Sequence, residues 1–339
     1  MRVVIANVSA PVATHVDDAY WARHVRPEAP PHRSLFDQRI DWGFHIYAIG
    51  LHLRDLGLAH EVEFWDYGAT RSTTYLDNGV LRVTLLGPDD VRAYRARYGD
   101  PDLFINYGVC GEPLLRQLAD RCFRVHVPCL RRHSEDRNQG AECYLVDDAR
   151  YLDDRAMLYV PVVHTGIHPI PGEKERDFVY LASAYEGKRH DLLLDAVRGT
   201  DLSGHLHPVP PSALDLTGTR ISTSDLDERA VVTLLRTSRI AVYPADRTSN
   251  PAAMWECVAA GLPIVVNADI KGGQHVVVPG VTGELAAPAR FGAVMQQVLE
   301  NRDQYQPRQH YERHWDTRTM LDRYLAFFER MGWRQPTCS

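Results

Sequence analysis

The sequence predicts an α/β protein built from two doubly wound domains. Short apolar runs of strand character alternate with segments whose apolar residues recur at helical spacing, which is the signature of parallel βαβ architecture. The alternation starts at residue 2 and begins again at residue 177. The length of 339 residues fits two domains, at roughly 150 residues each as a prior.

RVVIANV (2–8) reads as a buried first strand, and the polar, proline-bearing stretch of about 10–40 as a loop. Phe44, Tyr47, Ala48, Leu51, Leu53 and Leu56 set a helix over 43–57, stopped by Gly57. HEVEFWDYG (60–68) alternates like a strand, and VLRVTLL (80–86) is another. Pro88, Asp89 and Asp90 open a helix. PDLFINYG (101–108) and FRVHVPC (123–129) read as strands flanking a helix EPLLRQLADRC, with Pro113 in its first turn. MLYVPVV (157–163) reads as a linker strand between the domains. In the second half, DFVYLAS, RIAVYPA (239–245) and LPIVVNA (262–268) read as strands. HDLLLDAVRG, Asp225–Arg236, Asn250–Ala260, ARFGAVMQQVLEN and Thr317–Met331 read as helices. The expected division is 1–165, 166–315 and a closing helix, 316–339, packing back toward the first domain, with a ligand cleft between the two domains.

Composition excludes several classes of function. Hydrophobic residues at 45% and charged residues at 24% exclude disorder, collagen and coiled coil for most of the chain. A net charge of −6 supplies no basic field for nucleic acid. No run reaches the roughly 18 apolar residues of a membrane span, and Val3–Ala6 is too short for a signal-peptide core. The expected location is the cytoplasm, without integral membrane association. The six cysteines have no CxxC spacing and read as buried free thiols rather than disulfides or zinc ligands.

Candidate chemistry concentrates in YPADRTSNPAAMWECVAAGLPIVVNADIKGG, 243–273. Asn250 is a suitable N-cap, Pro251 suits the first helical position, and Gly261 with Pro263 closes the helix. Backbone N–H groups at such an N-terminus can hold an anion such as a diphosphate. Glu256, among Trp255, Cys257 and Val258, needs a partner, either a sugar hydroxyl pair or a nearby arginine. Lys188, one of only three lysines, follows Gly187 in a predicted βα turn. His126 on its strand is either a catalytic group or a satisfied core histidine. Asp100–Pro101–Asp102 and Asp225–Leu226–Asp227 have the spacing of metal-holding carboxylates, but their positions at a strand start and a helix start give them structural roles. No metal ligand set is expected.

ECVAAGLPIVV resembles the E-A-x-A-x-G-x-P-V-V core of retaining GT-B glycosyltransferases, the glycosyltransferase family 4 group. GKRHDLLLDA (187–196), STSDLDERAVVTLLRTSRI (222–240), PGVTGE (279–284) and HWDTRTMLDRYLAFF (314–328) are similar to that group's other motifs, in the same order. The likeness spans about 160 residues of the C-terminal half; GFHIYAIGLHLRDLGLAHEV matches more loosely in the N-terminal half.

The resemblance implies a GT-B fold and a nucleotide-diphosphate sugar as co-substrate, with no other cofactor and no metal. It places Lys188, Arg189, Ser249 and Asn250 at the diphosphate, Glu256 at the ribose and Gly43 beside the donor. It puts His126 or Cys129 at the acceptor-site position, and His126 and Lys188 are the catalytic candidates. Ser183 and Thr248 occupy donor-site positions where the group usually has arginine and glutamate, and His275 replaces a glutamate. The implied activity is retaining transfer of a hexose to a small soluble acceptor, with natural-product tailoring as the setting. An epimerase or hydrolase on the same scaffold and a non-catalytic nucleotide-sugar binder stand as alternatives.

Overall fold

The computed structural model describes residues 1–8, 44–67, 73–77, 80–85, 88–108, 122–128, 140–161, 163, 173–182, 186–207, 214–224, 228–246 and 251–334. They form two compact units, Met1–Val162 with Leu321–Ser339, and Val163–Met320. The expected loop of 10–40 and the helix over 112–121 lie outside the described residues.

The first unit runs β1 (Arg2–Val8), α1 (Phe44–Asp55), β2 (Glu61–Tyr67), β3 (Thr73–Asp77), β4 (Val80–Leu85) and α2 (Pro88–Tyr98). It continues with β5 (Leu103–Gly108), β6 (Phe123–Val127), β7 (Cys143–Val146) and β8 (Ala156–Leu158). The eight strands lie in the order β3-β4-β2-β1-β5-β6-β7-β8, all parallel except the β3–β4 hairpin edge. A parallel sheet is covered on both faces, so its inner strands are apolar on both sides. Val3, Val4, Ile5 and Ala6 accordingly are all buried.

Glu63 on β2 is the exception within this core. Its carboxylate is fully buried and accepts from Arg2 Nε (2.8 Å), Trp65 Nε1 (2.8 Å) and Tyr94 Oη (2.6 Å). Several donors on one buried carboxylate offset its desolvation.

Two sequence expectations change here. Residues 157–163 were expected as a linker, but β8 pairs with β7 and forms the edge of the sheet. β3 and β7 were not expected at all. CYLV is too short to show a period, and the hairpin is set by pairing rather than by pattern.

The second unit runs β9 (Arg176–Leu181), α3 (His190–Val197), β10 (Ser203–His207), β11 (Arg220–Thr223), α4 (Glu228–Thr237) and β12 (Ser238–Tyr243). α5 (Ala252–Ala259), β13 (Ile264–Asn267), β14 (Gly283–Ala286), α6 (Phe291–Glu300) and α7 (Pro307–His314) follow. The sheet is wholly parallel, ordered β11-β10-β9-β12-β13-β14. β10 was not expected, because SGHLH lacks an apolar run; its Gly204 is required by the ring of Phe178 on β9, whose Cζ would lie 2.1 Å from an added Cβ.

The last helix, α8 (Thr317–Arg330), begins in the second unit, and from Leu321 onward its residues belong to the first. There Tyr324 Oη accepts the Val160 N–H at 2.7 Å and donates to the Val160 carbonyl at 3.0 Å.

Candidate active site

The strand order of the second unit fixes where a ligand can bind. From β9 the chain moves outward through β10 to β11, then returns to the other side of β9 with β12. In open α/β sheets the crevice lies beyond the carboxyl ends of the two strands where the order reverses. Here those strands are β9 and β12. The loops leaving them carry Lys188 and Arg189 on one side and Asp246 on the other. The two loops are tied together: the Asp246 N–H donates to the Gly187 carbonyl at 3.2 Å, and Arg189 Nη1 meets Asp246 Oδ2 at 3.4 Å.

Lys188 ends a short 3-10 turn, Glu186–Lys188. Its backbone carbonyl accepts from Tyr180 Oη at 2.7 Å, and Tyr180 packs edge-on against Tyr243 of β12 with centroids 5.5 Å apart. The lysine is only 8% exposed, and burial lowers its pKa to about 8. A desolvated ammonium at a crevice regains favourable interaction when an anion arrives. The next ring along, His190, also has a lowered pKa, first through burial and then through the charge of Lys188.

Arg189 is the one non-glycine residue with positive φ among the described residues, at φ 49 and ψ 49. This left-handed geometry costs an arginine roughly 1–2 kcal/mol, and such strain collects at functional turns. Its guanidinium meets Asp191 through Nε (3.0 Å) and Nη2 (2.9 Å), as well as Asp246. Arg189→Gly is therefore expected to leave stability within about 1 kcal/mol of wild type, since strain relief offsets the loss of partly exposed ion pairs. A thermal melt checks this; a large loss of stability would show that the ion pairs outweigh the strain.

α5 starts one residue later than its sequence suggests. Pro251 is extended (φ −73, ψ 126) and occupies the cap position, and Ala252 is the first helical residue. The expectation of Asn250 as cap and Pro251 as first helical residue is thus corrected. Proline offers no side-chain acceptor, and the cap makes no side-chain hydrogen bond.

Glu256, in the second turn of α5, is 6% exposed. Trp255 beside it packs edge-on against Trp315 (4.9 Å) and lies against His275 (5.2 Å). The loop after β12 is held from below by Asn267 at the end of β13, whose Nδ2 donates to the Pro244 carbonyl at 2.8 Å. Sequence reading missed this brace; the only signal was an asparagine at the end of a Val-rich strand.

The other expected residues divide clearly. Gly43, Ser183, Thr248, Ser249 and Asn250 lie outside the described residues. His126 belongs to the first unit, on the inner strand β6 of its sheet. It is fully buried, its Nδ1 is 2.7 Å from Asn106 Nδ2 on β5, and its ring meets Tyr144 of β7 edge-on at 6.1 Å. That is the environment of a bracing core histidine, with no surface open to a substrate. Asp100 and Asp102 hold Arg95 and the Arg2 N–H, in keeping with the structural roles expected of them. Among the described residues, no group of three or more His, Cys, Asp or Glu is placed to hold a metal, and no helix is long and apolar enough to cross a membrane. Cys122, Cys143 and Cys257 are buried thiols outside any disulfide.

Residues 214–315 match the family model of glycosyl transferases group 1. The chain has the GT-B fold of its structural neighbours. Sucrose-phosphate synthase from Thermosynechococcus elongatus is similar at TM-score 0.69 and 14% identity, over 98% of this chain and 99% of that one. The Anabaena protein HepE, in complex with UDP and glucose, is similar at TM-score 0.65 and 10% identity, over 97% and 100%. AviGT4, a glycosyltransferase involved in avilamycin A biosynthesis, is similar at 0.61 and 15%, over 98% and 100%. At these identities the likeness is one of GT-B fold. No curated protein matches the sequence.

Proposed function

We propose that the protein is a retaining glycosyltransferase that moves a hexose from a nucleotide-diphosphate sugar to a small soluble acceptor in the cytoplasm, without a metal. The observation that carries the donor assignment is the buried Lys188 at the β9–β12 switch point. Its ammonium and the Arg189 guanidinium meet the diphosphate and stabilise the charge it gains as the glycosidic C–O bond breaks. These cations supply the positive charge that a metal supplies elsewhere. Ser249 and Asn250 add donors ahead of α5, Glu256 accepts from the ribose hydroxyls, and Gly43, Ser183 and Thr248 complete the donor site. The acceptor hydroxyl attacks on the face the nucleotide leaves, so the anomeric configuration is kept. His126, buried against Asn106, braces strands β5 and β6 of the first unit. HepE was captured with UDP and glucose, and AviGT4 is involved in avilamycin A biosynthesis. Both support a nucleotide-sugar donor and a natural-product setting.

The test is calorimetric titration with UDP, GDP, ADP and dTDP, with and without EDTA. One nucleotide is expected to bind in both conditions. In Glu256→Ala its Kd should rise about 10- to 100-fold, the equivalent of roughly 1.5–3 kcal/mol for hydrogen bonds to a charged group. Failure of all four to bind would sink the donor site. Turnover of the sugar nucleotide without acceptor would point to an epimerase or hydrolase.

A further inference from the structure

His310 and His314 lie four residues apart on α7, and their rings are adjacent, with centroids 4.5 Å apart and planes tilted by 41°. Residues at this spacing share one helix face. Two imidazoles this close can share an ion held at about 2.1 Å from each ring nitrogen.

The helix end favours a cation there. His314 is the last residue of α7, where the helix dipole presents its negative end. His310 is half-buried and its edge is covered by Trp315, with centroids 4.4 Å apart. The charged groups beside the pair are Arg313, whose positive charge works against a cation at His310, and Glu312, which is taken up by Arg308 at 2.7 Å.

We propose that His310 and His314 form a two-point binding site for a transition-metal ion of the Zn²⁺, Ni²⁺ and Cu²⁺ class. Imidazole nitrogens suit these ions, whereas Mg²⁺ and Ca²⁺ require oxygen. Water fills the remaining coordination positions. The site lies outside the β9–β12 crevice and does not depend on the transferase reading. It is nonetheless linked to α5. His310 meets Trp315, Trp315 meets Trp255 at 4.9 Å, and Trp255 adjoins Glu256. Arg308 on α7 also donates to the Ala259 carbonyl at the end of α5, at 2.6 Å. A bound ion therefore fixes the α7 face that supports the Glu256 helix.

Trp315 provides the readout, because a paramagnetic ion beside it quenches its fluorescence. The full chain, freed of metal with EDTA and dialysed, is titrated with CuSO₄ and NiCl₂ at neutral pH, and then with ZnCl₂ as competitor. We expect saturable quenching of a subset of the tryptophan emission, tighter for Cu²⁺ than for Ni²⁺ and reversed by a large excess of the weaker-binding Zn²⁺. His314→Ala should weaken the Cu²⁺ affinity about tenfold or more, as loss of a ligand does at least as much as loss of its outer support. His310→Phe keeps a ring against Trp315 but removes the nitrogens, so it should lose the same affinity with the fold retained. Identical titrations in wild type and in both variants, or quenching that never saturates, would overturn the site.

Discussion

Lys188→Met should raise the melting temperature and abolish nucleotide-diphosphate binding. Burial has moved the lysine from 10.5 to about 8. At about 1.4 kcal/mol per unit, the charged form carries a penalty of about 3 kcal/mol in the folded protein. The sign follows from proton counting. Between pH 8 and 10.5 the unfolded chain holds a proton at this position that the folded chain has released, so stability rises with pH across that window. Below pH 8 both states are protonated and the full penalty is present. Methionine fills the same space without a charge, so a gain of about 2–3 kcal/mol, or roughly 4–10 °C, is expected near neutrality. The rise in wild-type stability above pH 8 should also vanish. Nucleotide affinity in the wild type should fall as pH climbs through 8, because the anion prefers the ammonium form. Calorimetric melts and titrations across this range check both halves. A destabilised Lys188→Met protein would show that the buried ammonium is not a liability maintained for ligand binding.

The second large effect concerns Gly283 in the PGVTGE turn. It pairs with Ile264 across β13 and β14 at φ +156, and an added Cβ would lie 1.9 Å from the Ile264 carbonyl oxygen and 2.7 Å from its backbone nitrogen. The obstacle is backbone, so no rotamer change relieves it. Gly283→Ala is expected to cost about 3–5 kcal/mol, at the severe end for single substitutions. Gly280→Ala, three residues earlier, provides the contrast. Its φ is +73 but nothing lies within 4 Å of the added carbon, so only the left-handed penalty of about 1–2 kcal/mol applies. Denaturant midpoints of the two variants separate close approach from backbone conformation. Equal losses would remove the close-approach argument.

The strands most legible in the sequence are those with no polar face. VVIA in β1 and IVV in β13 announced themselves because the sheet buries both of their sides. β10 and β11 escaped because SGHLH and RIST sit toward the sheet edge, where pairing and the Phe178–Gly204 fit decide the conformation instead of hydrophobicity. Lys188 and Glu256 were legible because their neighbours are local: a glycine turn in one case and a short apolar helix in the other. The ties that organise the crevice were not. Arg189 to Asp246 spans 57 residues, and Asn267 to Pro244 spans 23, with no local pattern to mark either. His126 shows the limit from the other side, since a strand histidine reads alike whether it opens to a ligand or, as here, bonds to Asn106 inside the sheet.

The return of α8 to the first unit has a consequence for how the protein is made. The second unit is one uninterrupted stretch, Val163–Met320, inserted between Val162 and Leu321. Its six strands have all been synthesised before Tyr324 is added. Residues 1–162 therefore emerge first but finish last: the backbone groups of Val160 wait for the Tyr324 hydroxyl, and Tyr159 waits for the ring that stacks on it at 6.4 Å. Order of synthesis and order of completion are opposed, so the half-made chain depends on the interval before residue 321 passing without aggregation.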